Sequence, residues 1–126
     1  MATLLFQEET YQINGAIYDV FNDLGPGFLE SVYQEALALE FTNRGIPFNE
    51  QWGIDVFYKK KKLKKKFFAD YLCFGDIIIE IKAVEHIIGQ HEAQLINYLK
   101  ATKKPLGILV NFGESKLYLK RFANTR

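Results

Sequence analysis

The chain has 126 residues, 48% of them apolar, with eleven Phe and seven Tyr; this composition can fill a packed core and excludes a disordered segment. No apolar run approaches the roughly 20 residues that a bilayer span needs, and the opening "MATLLFQEETYQ" lacks the basic start and long apolar stretch of a signal peptide. The net charge is +1, but seven lysines lie between positions 59 and 66, and taking them from that total leaves −6, so a mildly acidic body carries one concentrated basic element.

A chain this short is expected to form one domain over residues 1–126, because smaller pieces could not bury a useful core. The single cysteine, Cys73, excludes an intramolecular disulfide and points to a reducing cytoplasm. Residues 7–23 place Ile13, Ile17, Val20 and Leu24 at helical spacing, and "LGPG" at 24–27 stops that helix. A second helix is expected from Phe28 to Asn43, ending at Gly45. Three alternating segments follow, 53–59, 64–74 and 76–84; they read as antiparallel strands, the first pair turning through the lysines. Residues 89–102 form a helix with Leu95 and Leu99 on one side, 105–113 a buried strand, and 115–122 an edge strand. The order is α-α-β-β-β-α-β-β, a mixed sheet with helices packed on it.

The second and third strands carry Asp70, Glu80 and Lys82 among apolar residues. Side chains alternate faces along a strand, so the loop length decides which residues meet. An odd-numbered loop centred on Gly75, which can take a positive φ, pairs Leu72 with Ile78, Asp70 with Glu80 and Phe68 with Lys82. Phe67, Ala69, Tyr71 and Cys73 then face Ile77, Ile79 and Ile81 on the other side as ordinary core. Two adjacent carboxylates in an apolar strand repel each other and lose hydration unless offset. A divalent cation would offset them, and Mg2+ is commonly held by one or two protein carboxylates. On spacing alone, a salt-bridged cluster with Lys82 at a solvated strand end explains them equally.

Asp70-x9-Glu80-x-Lys82 resembles the PD-(D/E)xK nuclease superfamily, with Ala69 in place of the proline that many members also lack. "GFLESVY" (27–33) fits G-x-x-E-x-x-Y, and with "FFADYL", "IIIEIKAV", "QLINYLKAT" and "GILVNFG" it resembles the bacterial GxxExxY family over nearly the whole chain. The resemblance implies an α/β restriction-endonuclease-like core, αβββαβ, here with an extra N-terminal helix and C-terminal strand. It implies an Mg2+-dependent nuclease, or one using Mn2+, acting on DNA, with RNA as the second candidate. Asp70, Glu80 and the backbone carbonyl of Ile81 would hold the metal, and Lys82 would orient the attacking water and stabilise charge on the phosphorane. Glu30 would reach the metal from its helix, its other reading being an acid favoured by the helix macrodipole. Gln94 and Tyr98 match a Q-x-x-x-Y spacing of the RecB-like branch, in which the glutamine sits near the metal-phosphate centre; otherwise they form a polar stripe on a core helix.

Lys59, Lys60, Lys61, Lys62, Lys64, Lys65 and Lys66 would grip a phosphate backbone without reading its sequence, Tyr98 joining them, or would serve as a solvated turn that blocks edge pairing. No phosphate-binding loop of NTPase type is present, and His86 and His91 with one cysteine cannot close a structural zinc site without help from carboxylates. Two rivals to a nuclease stay open: a non-catalytic nucleic-acid-binding module, and a structural or assembly protein whose carboxylates and Lys82 form only an ion-pair cluster. The small size makes a homodimer or a protein partner plausible.

Overall fold

The computed structural model describes residues 6–124. Helix α1 (Gln7–Leu24) buries Thr10, Ile13, Ala16, Ile17 and Val20, the three-and-four spacing of one helix face, and stops at Gly25, whose φ is 68°. Helix α2 (Glu30–Asn43) starts two residues later than expected, because Pro26 and Gly27, with φ 116°, hold the chain in a loop. Its buried stripe is Tyr33, Leu37 and Phe41. The end is a Schellman turn: Gly45 takes φ 71° and the Ile46 N–H donates to the Phe41 carbonyl at 2.9 Å.

Strands β1 (Phe48–Tyr58), β2 (Lys61–Cys73), β3 (Ile77–Lys82), β4 (Leu106–Asn111) and β5 (Tyr118–Ala123), with helix α3 (Gly89–Thr102) between β3 and β4, complete the order. They form one sheet in the order β1-β2-β3-β4-β5. Only β3 and β4 are parallel, the pair that α3 connects. The expected α/β architecture is therefore present, N-terminal helix and C-terminal strand included. Helices α1 and α2 cover one face through Ile17, Tyr33, Leu37 and Phe41 against Tyr71, Ile79, Ile81 and Val110. Helix α3 covers the other with Leu95, Tyr98 and Leu99 against Ile54, Ala69, Leu72, Ile78 and Leu109. No helix among the described residues is long and apolar enough to cross a membrane.

Two expectations need correction. The lysine run is not itself the turn: Lys59 and Lys60 form a two-residue loop with φ 50° and 70°, Tyr58 pairs with Lys61, and Lys61 to Lys66 lie within β2. Nor do Phe67 and Ala69 join Tyr71 and Cys73 on the α1/α2 face. Ala69 packs in the α3 core and Phe67 lies 6.2 Å from the Tyr98 ring. The alternation slips between Ala69 and Tyr71, opposite Gln51 of β1, whose φ of 53° turns that strand locally.

Candidate functional site

The β2–β3 hairpin closes through three residues, Phe74 and Gly75 with φ 55° and 72° and then Asp76, so the odd loop sets the register Cys73 to Ile77, Leu72 to Ile78 and Tyr71 to Ile79. Backbone pairing then stops, and Phe68 does not reach Lys82. Where the ladder would continue, the two carboxylates replace its bonds. The Asp70 N–H donates to Glu80 Oε2 at 2.8 Å, and the Ile81 N–H donates to Asp70 Oδ2 at 2.8 Å. Strand β2 leaves β3 at this point, and the acid pair sits in the opening.

Glu80 is 4% exposed. Burial, and then the neighbouring charge of Asp70, push its carboxyl well above the usual range. Burial also raises Asp70, against the Ile81 N–H, which favours its ionised form. Lys82 makes no ion pair within 4 Å of either; its Nζ donates instead to Gln94 Oε1 at 3.1 Å. The salt-bridged strand end is thus absent from this structure. A buried carboxylate, Glu80, lies beside a half-buried one, Asp70, without a bonded cation, an arrangement that favours either a retained proton or a bound metal ion. Among the described residues no cluster of three or more His, Cys, Asp or Glu side chains could hold a metal ion, so any ion here would have to complete its shell with backbone, water or substrate oxygens.

Glu30, the first residue of α2, is exposed, yet close enough that its charge raises both Asp70 and Glu80. Tyr33 fixes that helix start. Its hydroxyl accepts from the Phe28 N–H at 3.2 Å and donates to the Gly25 carbonyl, while its ring stacks on Phe112 at 4.5 Å. The G-x-x-E-x-x-Y spacing therefore ties the loop that presents Glu30 to the core. Tyr98, 8% exposed, contributes its ring to the α3 core and its hydroxyl to Gln94. Ile81 places its side chain in the α1/α2 core and its backbone beside Asp70.

In the hairpin, Asp55 lies 3.5 Å from Lys62 and 3.6 Å from Lys66. Among the described residues, Lys59, Lys60, Lys61, Lys64 and Lys65 have no carboxylate within 4 Å. The basic run is thus a long exposed arm leaving the sheet at the acid pair.

Two residues beyond those singled out from sequence shape the site. Gln51, opposite Asp70 and with its backbone at positive φ, has a side chain that weakly opposes the rise in the Asp70 pKa. No sequence feature marks it. Asn111, fully buried, accepts from the Val84 and Gly113 N–H groups, each at 3.0 Å, and donates to the Val84 carbonyl at 2.9 Å and Glu114 Oε2 at 2.8 Å. It clamps the segment after Lys82, and its signal was a lone amide inside the apolar run "ILVNFG".

Among solved structures, the chain is similar to the crystal structure of a protein called SSO0001, with a TM-score of 0.60 and 21% identity over 76% of this chain and 50% of that one. At that identity the likeness concerns the fold, and this chain spans about half of the solved chain's length. No curated protein matches. The sequence profile described as the PD-(D/E)XK nuclease superfamily matches residues 7–122, nearly the whole chain. With an acid pair and a lysine gathered where two strands part, the chain belongs to the PD-(D/E)XK nuclease superfamily.

Proposed function

We propose that this protein, as a member of the GxxExxY branch, is a metal-dependent nuclease that hydrolyses phosphodiester bonds, in DNA first and RNA second. The observation that carries the reading is the buried pair, Glu80 at 4% exposure beside Asp70, with Lys82 bonded elsewhere. Oδ1 of Asp70, Oε1 of Glu80 and the Ile81 carbonyl would hold Mg2+ or Mn2+, since Oδ2 and Oε2 already accept backbone N–H groups. When bound, such an ion polarises the scissile phosphate and lowers the pKa of a coordinated water. Lys82, held by Gln94, presents its ammonium to the attacking water and to the charge that develops on the phosphate oxygens. Glu30 approaches from α2 and adds acceptor capacity. Lys59, Lys60, Lys61, Lys64 and Lys65 hold the substrate backbone, and a second copy or partner chain extends the short binding surface.

Thermal melting with millimolar Mn2+ or Mg2+ tests the site. The midpoint of the wild type rises, because a ligand of the folded state alone stabilises it, by about 2.7 kcal/mol at a hundredfold excess over Kd. Asp70→Asn/Glu80→Gln stays unmoved. Lys82→Ala keeps the metal response but loses about 100- to 1,000-fold in cleavage of labelled oligonucleotides. No metal response in the wild type would remove a preformed centre, and nucleic-acid binding retained by the double variant would then favour a non-catalytic binding module.

A further inference from the structure

We infer that the groove between α3 and the β1–β2 hairpin seats an unstacked base, so that the substrate is a single nucleic-acid strand rather than an intact duplex; this deepens, and rests on, the nuclease reading above. The groove encloses about 500 Å³, within the range of about 300–1,000 Å³ usual for small-molecule sites. Its apolar walls are Val56 and Phe67 of the hairpin and Ala93 and Tyr98 of α3, and Gln90 and Asn97 stand at its edge. Neither of those two amides has a side-chain partner among the described residues, so both are available to a polar base edge.

The chemistry of the lining selects the occupant. Phe67 is 37% exposed, and its ring already touches Tyr98 at 6.2 Å, so a base stacks on the open face of Phe67 and does not enter between the rings. Tyr58 stands exposed at the tip of the same hairpin beside Lys59, Lys60 and Lys61, none of which has a carboxylate partner within 4 Å among the described residues. Aromatic faces interleaved with ammonium groups suit a strand whose bases are splayed; a duplex keeps its base faces inside its own stack and offers an aromatic ring only edges and phosphates. Position supplies the link to chemistry. Gln94 lines the groove and also accepts from Lys82 Nζ at 3.1 Å, so a base held here brings its phosphates beside Asp70 and Glu80.

Fluorescence anisotropy in EDTA, without metal or cleavage, tests the inference with labelled oligothymidylate of about 16 nucleotides, its duplex with oligoadenylate, and an abasic oligomer of equal charge. The wild type binds the oligothymidylate more tightly than the duplex or the abasic oligomer. Phe67→Ala weakens oligothymidylate binding about 5- to 150-fold, the span of one lost stacking contact, and leaves abasic binding unchanged. Ala93→Leu fills the groove from an exposed helix position and gives the same selective loss, with thermal melting verifying the fold of each variant. Equal affinity for duplex and single strand, or oligothymidylate binding unmoved in both variants, overturns the inference. Melting of the wild type with metal separates the two readings. A single-strand preference in a wild type with no metal response sustains the groove and removes the nuclease, whereas metal-dependent cleavage without base-dependent binding does the reverse.

Discussion

At the scale of single residues, the segment that follows Lys82 rests on a polar group whose partners are fully assigned, Asn111. Its amide uses both carbonyl lone pairs and both N–H donors inside a strand whose six residues are all buried. Asn111→Asp keeps the shape but turns a double donor into an acceptor facing the Val84 carbonyl and Glu114. It should cost about 3–5 kcal/mol, the range for an uncompensated buried charge, read as a lower urea midpoint with unchanged m-value. The same substitution loosens the backbone that follows Lys82. Gly113 belongs to this clamp for a different reason: a Cβ there would lie 2.2 Å from the Val84 carbonyl oxygen, so the two segments can touch only at glycine.

At the scale of elements, the hairpin arm carries a local conflict between turn and sequence. A two-residue loop with both residues at positive φ favours Asn-Gly, and here both are lysine. Lys59→Asn/Lys60→Gly should therefore stabilise the protein by about 1–2 kcal/mol in denaturant unfolding, while removing two cations and weakening nucleic-acid binding most at low salt. Stability and binding moving in opposite directions would mark the lysines as serving a partner; a gain in stability with binding unchanged would confine them to the turn. The register of the hairpin next to its loop, Leu72 with Ile78, was legible from sequence, because Gly75 and an odd loop fix parity; the Asp70–Glu80 rung expected beyond it is replaced by side-chain bonds. The slip between Ala69 and Tyr71 was not: it depends on Gln51 at positive φ, a conformation glutamine does not favour on its own. The α1 face was legible from apolar spacing, and the later start of α2 follows from a loop that Tyr33 pins across the turn. The Lys82–Gln94 bond joins two elements, and no local pattern encodes it.

At the scale of the whole molecule, the acid pair links pH to stability. Asp70 is pushed up to about 6 and Glu80 to about 8, both by burial first, so the folded state binds more protons than the unfolded chain between their ordinary values and these. The pair's contribution to stability is then fully present below the ordinary carboxylate range and is lost as pH rises through about 6 and about 8. Melting of the metal-free protein across that window should show this decline, and Asp70→Asn/Glu80→Gln should flatten it. On the proposed metal-dependent reading, a bound cation would reverse the trend, since it would take the ionised pair and release the proton. A metal-free midpoint as flat as that of the variant would mean that the pair is ionised and hydrated in solution.

The gap between β2 and β3 has a consequence for how function can be dissected. Each acid side chain is also a rung, standing in for a backbone acceptor that the parted strands no longer supply. Alanine at 70 or 80 removes a charge and a rung together, stranding an amide hydrogen on the opposite strand and confounding lost chemistry with a sprung sheet. Only the amide replacements keep the rung while erasing the charge. In this scaffold each carboxylate commits one oxygen to the carpentry of the sheet and leaves the other for the chemistry proposed above.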